Sequence, residues 1–176
     1  MSLINKLSLR CFNECYFRLH SRQQGLKKCH YRSFFFPLDG VKHWNRIYGR
    51  KGFYQYQCVV PDIETIGKLQ ALISSSKAGS FLAVLKEFGN ITSPGMLPFT
   101  RPGFTLAVDF PNQGEQTLDF LNKLDSIVLA SKGAVYAAKD ARMSAQMFKN
   151  SYPGTKDFTP HIDPQFSSSF WRRVNP

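Results

Sequence analysis

FYQYQCVVPDIETIGKLQALISSSK, residues 53–77, decides the fold. Its opening alternates Tyr54, Tyr56, Cys58 and Val60 with Gln55, Gln57 and Val59, the period of two of a strand whose faces differ. Pro61 ends the run, because proline cannot donate to a ladder. Asp62 offers a side-chain oxygen to the first turn of a helix. Ile63, Ile66, Leu69 and Ile73 then recur at helical spacing on one face.

The chain downstream repeats that pattern. FLAVLKEF (81–88) reads as a second strand, apolar until Lys86, followed by a loop over 89–103 that holds three prolines and three glycines. FTLAVDF (104–110) alternates again, with Phe104, Leu106, Val108 and Phe110 opposed to Thr105, Ala107 and Asp109. Leu118, Leu121, Leu124, Val128 and Leu129 place a second amphipathic helix over 114–132, stopped by Gly133. AVYAA (134–138) is the predicted fourth strand, 142–152 a short third helix, and the last twenty residues a tail laid over the body.

Strand, helix, strand, strand, helix, strand is the split β-α-β, ferredoxin-like order. The expected fold is therefore α+β: an antiparallel four-stranded sheet with helices on one face, preceded by a basic N-terminal arm. The open face should carry Gln55, Gln57, Thr105 and Ala107, with Lys86 and Lys139 at or just beyond strand ends.

Charge divides the chain. Residues 1–53 hold 11 Lys+Arg against Glu14 and Asp39, whereas 54–176 hold 12 against 10 Asp+Glu. We read 1–52 as a basic, aromatic-rich arm and connector, and 53–176 as the folded domain. The arm suits an anionic surface or an acidic partner, and peripheral membrane contact is among the expectations. Its first helix, with Leu3, Leu7, Leu9, Phe12, Tyr16 and Leu19, should pack on a neighbour. No apolar run is long enough for a transmembrane helix and no secretory core is visible, so the expected location is soluble or membrane-peripheral, and cytoplasmic. Cys11, Cys15, Cys29 and Cys58 form no zinc pattern, so no metal is expected, and the thiols should be reduced and mostly buried.

No P-loop, dinucleotide fingerprint, zinc-protease motif or nucleophile elbow is present. KGFYQYQCV approaches the RNA-recognition consensus, but Tyr54 stands where a small residue must let a base approach, so no nucleic-acid partner is expected. What remains is Gln55, Gln57, Lys86, Thr105 and Lys139 around one sheet surface. Two amides and two ammonium groups suit a polyhydroxylated or anionic ligand; a merely solvated sheet face is the plainer alternative.

At these residues the sequence resembles a known family. FFFPLDGVKHWNRIYGRKGFYQYQCVVP, SFLAVLKEFG, PGFTLAVDFP and VYAAKDARMSAQMFKNSYP are similar, in order, to the C-terminal substrate-side half of FAD-linked oxidoreductases of the vanillyl-alcohol-oxidase type. That type includes D-arabinono-1,4-lactone oxidases and the decaprenylphosphoryl-β-D-ribose oxidase group. The resemblance implies a sheet that caps the flavin, with FAD bound mainly by a domain or chain outside these residues. It implies a sugar or aldonolactone substrate, in some members lipid-linked. It also implies that Tyr136 contacts the flavin, that Lys139 stands near the ring and the hydroxyl being oxidised, and that Gln55, Gln57 and Lys86 line the substrate pocket. Asp140 and Arg142 would anchor the turn. Phe36 stands where the ribose oxidases carry tyrosine, and Thr105 and Ala107 replace an asparagine and a cysteine of the mycobacterial members, so substrate identity does not carry over. The competing readings are a non-catalytic remnant that binds a partner or an anionic surface, and an RNA-binding module.

Overall fold

One antiparallel sheet organises the chain. In the computed structural model, which describes residues 6–22, 25–40, 42–43, 46, 48–76, 80, 82–139 and 142–175, the strands are β1 (Phe53–Val60), β2 (Ala83–Phe88), β3 (Gly103–Pro111) and β4 (Ala134–Val135). They lie in the order β2-β3-β1-β4. The helices are α1 (Lys6–Ser21), α2 (Tyr31–Phe35), α3 (Ile63–Ser75), α4 (Glu115–Ala130), α5 (Ala145–Ser151), α6 (Thr155–Phe158) and α7 (Ser169–Val174). Helix α3 connects β1 to β2 and α4 connects β3 to β4, so the fold is α+β, with both connecting helices returned against the sheet.

The alternation of β1 sorts its side chains. Tyr56, Cys58 and Val60 are buried with Val108 and Phe110 of β3, against Ile66 and Leu69 of α3 and Leu121, Leu124 and Val128 of α4. Burial of each large apolar side chain contributes about 1.5–3 kcal/mol, and this layer holds the helices on the sheet. The α3 stripe differs from expectation at its first position. Asp62 caps the helix by accepting from the Thr65 N–H (2.7 Å) and hydroxyl. Thr65 is buried under that cap, while Ile63 stays 57% exposed. Gly133 follows α4 because a Cβ there would strike the carbonyl oxygen of Val59.

β4 is shorter than the predicted AVYAA strand. Ala134 and Val135 pair with Val59 and Cys58, the Tyr136 N–H reaches Gln57 O (2.8 Å), and Ala137–Lys139 then coil into a 3-10 turn. Side chains of α5 and its C-cap terminate the ladder. The Ser151 hydroxyl accepts from the Val135 N–H, and the Tyr152 hydroxyl donates to Val135 O and accepts from the Ala137 N–H. The outer edge of β4 is thereby satisfied by hydroxyls instead of a fifth strand. The tail is anchored by Val174, which is buried, and by Phe170 and Trp171 set edge-on to Phe148.

The N-terminal segment departs most from its reading. Leu9 is buried, but Leu7, Phe12, Tyr16 and Leu19 are all more than half exposed, so the α1 stripe is largely uncovered; Leu3 lies outside the described residues. The expectation of mostly buried thiols fails for the same reason: Cys11, Cys15 and Cys29 are exposed along this thinly packed stretch, and Cys58 alone is buried. Among the described residues no helix is long and apolar enough to cross a membrane.

Candidate functional site

Strand β1 outruns β4, and the site lies where its edge is left uncovered. Gln55 and Gln57 project from the face of the sheet opposite α3 and α4. Tyr136 follows β4, and the 3-10 turn brings Lys139 round beside them. These four line one shallow, open crevice that encloses only about 20 Å³, with Tyr54 and Tyr56 on the β1 side and Asp125, Arg142 and Met143 on the far wall. The structure therefore gathers Gln55, Gln57, Tyr136 and Lys139, residues 84 positions apart at the extremes.

Hydrogen bonds hold the two amides. The Gln57 amide N–H donates to the Thr105 hydroxyl (3.3 Å), and the Gln55 amide N–H donates to Asp109 Oδ1 (2.9 Å). Thr105 is buried, so it supports Gln57 from beneath and does not line the crevice. Asp109 is also fully buried, and its second oxygen accepts from the Tyr48 hydroxyl (3.1 Å). Tyr48 stacks on Phe53 at 4.2 Å and covers this end of the open face. Burial first, and then the neighbouring Asp109 charge, push the Tyr48 phenol well above its ordinary pKa, which keeps it a neutral donor.

The far wall is ionic. Arg142 Nη1 lies 2.8 Å from Asp125 Oδ2 and 2.8 Å from Asn122 Oδ1, while Asp125 Oδ1 accepts from the Tyr56 hydroxyl (3.0 Å). Arg142 thus ties the segment after Lys139 to α4, where the sequence suggested a pairing or turn with Asp140; Asp140 itself lies outside the described residues. Desolvation, Cys58 and Asp125 raise the Tyr56 phenol well above its ordinary pKa, so it too stays protonated. Among the described residues, the one carboxylate lining the crevice is therefore engaged by a guanidinium and a phenol. Lys139 is exposed at the mouth and forms no ion pair among the described residues.

Two expected site residues stand apart. Lys86 sits opposite Thr105 on the edge strand β2, on the same face as Gln57, but with β3 between them. It is exposed and does not line the crevice. Phe36 caps α2, is 53% exposed and likewise lies outside the crevice lining. Conversely, Tyr48, Asp109, Asp125 and Arg142 are integral to the site, although the sequence assigned none of them a place in the pocket. Asp109 carried a signal, being a charged residue in mid-strand on the face of Thr105 and Ala107. Tyr48 carried none, since its partner is 61 residues away. Beyond Tyr136, whose ring stacks on Phe99 at 4.4 Å, a wider aromatic groove opens among Phe148, Tyr152, Phe170 and Trp171. Among the described residues no group of three or more His, Cys, Asp or Glu is placed to hold a metal ion.

The chain is similar to part of a FAD-linked oxidase. The particular relative is decaprenylphosphoryl-beta-D-ribose oxidase of Mycolicibacterium smegmatis (strain ATCC 700084 / mc(2)155), 35% identical over 98% of this chain and 38% of that protein. An uncharacterized protein in the mprA 5′ region of Streptomyces coelicolor is 28% identical over 70% of this chain and 35% of its own length. The chain thus spans little over a third of the curated relatives it matches. No protein-family model matches it.

Proposed function

We propose that the chain is the substrate-binding, flavin-capping portion of an FAD-dependent oxidoreductase that oxidises a hydroxyl of a sugar or aldonolactone. The observation that carries this reading is the union of the two findings above. The similarity to an oxidase runs along 98% of the chain, and Gln55, Gln57, Tyr136 and Lys139 converge on one crevice.

The donor set of the crevice suits FAD. A redox ring that gains negative charge on reduction calls for a nearby cation and no free carboxylate. Lys139 is exposed at the mouth, and Asp125 is neutralised by Arg142. Tyr136 offers a half-buried aromatic side chain beside it. With no phosphate-cradling motif in the sequence, the rest of the cofactor would be held by a partner domain. When bound, FAD supplies the two-electron acceptor for a hydride from the carbinol carbon.

The chain's own residues supply binding and charge. Gln55 and Gln57 hold the ligand by hydrogen bonds to its hydroxyls. The hydroxyl proton would pass to water at the open mouth as the hydride leaves the carbon, and the Lys139 ammonium would stabilise the developing alkoxide. Tyr54, Leu121 and Met143 line the same crevice and help exclude water from it. The exposed, basic N-terminal arm is proposed to lie against the partner domain.

Reconstitution tests the proposal. The full chain is combined with the FAD-binding portion of the M. smegmatis oxidase that this chain does not match, and dye reduction is followed on addition of an aldose or an aldonolactone. Activity that requires both components is the expected result. A stable, flavin-loaded complex that reduces no dye with any such substrate would overturn the reading.

A further inference from the structure

We infer that Asp109 is a positioning residue that fixes the polarity of the crevice, turning the carbonyl oxygen of Gln55 toward the ligand. The inference rests on the proposed function for the ligand's identity and deepens it by naming the hydrogen-bonding sense that the ligand must supply.

An amide side chain is two-faced, with an acceptor oxygen and a donor NH2 that rotation exchanges, whereas an ionised carboxylate only accepts. Both Asp109 oxygens are in use as acceptors, one for the Gln55 amide N–H at 2.9 Å and one for the Tyr48 hydroxyl at 3.1 Å. Because Asp109 is fully buried, no competing water reaches it. Reversing the Gln55 amide would set its oxygen against a buried carboxylate, a repulsive contact in a site of low polarity. The Gln55 nitrogen is therefore committed inward. Its oxygen has no protein partner, yet no partly buried side chain here hides an unpaired polar atom from solvent. That oxygen is accordingly accessible to solvent, at a residue that lines the crevice.

Gln57 repeats the arrangement one pleat along, with its nitrogen on Thr105 and its oxygen unpartnered. Two residues apart on a strand, the pair present acceptors roughly 7 Å apart along one face. A ligand that fits carries two outward O–H or N–H donors at that spacing, as a polyol does. One that offers only acceptors there, such as a phosphate dianion or a carboxylate, is refused by the amides and left to Lys139. Asp109 thus acts on the ligand through Gln55, and Tyr48 holds Asp109 in turn.

The test uses the full 15N-labelled chain and the Gln55 side-chain NH2 resonance, identified by its loss in Gln55→Leu. Those protons are expected to exchange with water at least about 10-fold more slowly than those of exposed Gln70, because one is held on a buried carboxylate. Asp109→Ala should abolish the protection. Where that variant does not fold, Asp109→Asn should instead give two Gln55 signal sets, since asparagine can present either end. D-Arabinono-1,4-lactone is the ligand probe: it should shift the Gln55 and Gln57 amide signals, with roughly 10-fold weaker binding to the Asp109 variant. A Gln55 amide that exchanges like Gln70, or is unchanged by both Asp109 variants, overturns the assignment. A protected, Asp109-dependent Gln55 amide in a chain that ignores the lactone supports the assignment and counts instead against the proposed substrate.

Discussion

Arg142→Met is the perturbation whose cost follows most directly from the structure. Arg142 Nη1 stands 2.8 Å from Asp125 Oδ2, and the two side chains are 17% and 14% exposed. Removing one partner of a fully buried pair costs about 3–5 kcal/mol, because the other charge is stranded. Here the residual exposure lets water reach Asp125, and the Tyr56 hydroxyl still donates to it. We therefore expect a loss of about 2–3 kcal/mol, just below the fully buried range and well above the ~0–1 kcal/mol of a surface pair. With a urea m-value near 2 kcal/mol/M, the unfolding midpoint should fall by about 1 M. The discriminating step is the second substitution. Asp125→Asn, placed in the Arg142→Met chain, removes the stranded charge but keeps an acceptor for Tyr56, and should recover at least half of the loss. Equilibrium urea unfolding at pH 7, followed by circular dichroism, measures both. A midpoint unchanged by Arg142→Met, or a double variant no more stable than the single, would refute the reasoning.

Three further outcomes follow. Burial pushes the Cys58 thiol up to about 12. An unfolded thiol titrates near 8.5–9, so above that range the unfolded chain releases a proton that the folded chain keeps, and stability falls as pH rises toward 12. The loss attributable to Cys58 should reach about 1.4 kcal/mol near pH 10, and Cys58→Ala should flatten this part of the pH dependence of urea unfolding; parallel profiles would contradict it. Tyr152→Phe deletes two hydrogen bonds at the edge of β4, one buried and one partly buried; it should cost about 1–3 kcal/mol and speed amide exchange at Ala137, with unchanged exchange counting against the edge-satisfying role. In the reconstituted oxidase, Gln57→Ala should raise KM more than Lys86→Ala, because Gln57 lines the crevice and Lys86 does not; equal effects would return Lys86 to the pocket.

Local periodicity made the body of the fold legible. Alternation in 53–60 and 104–110 and the helical stripes of α3 and α4 are each contained within one element, so a short window of sequence carries them. Fixed charges on a turn after β4 likewise drew attention to Lys139, which the structure places at the crevice mouth. What escaped was set at a distance. The length of β4 is decided by hydroxyls of Ser151 and Tyr152, 15–17 residues downstream. Alternation puts Asp109 on the face of Thr105 and Ala107, but nothing local shows that Tyr48 closes over it. Asp125 has no local signature, since its partners Tyr56 and Arg142 come from two other segments. The α1 stripe erred the other way: amphipathic spacing announces a face that can be buried, but it does not say what covers it.

The most direct measurement is single-turnover reduction in the reconstituted complex, without oxygen, watching the visible flavin band as sugar or lactone is added. The account predicts bleaching with the natural chain, and bleaching at least about 100-fold slower with Lys139→Ala in an equally well-formed complex. Equal rates for the two chains would contradict it.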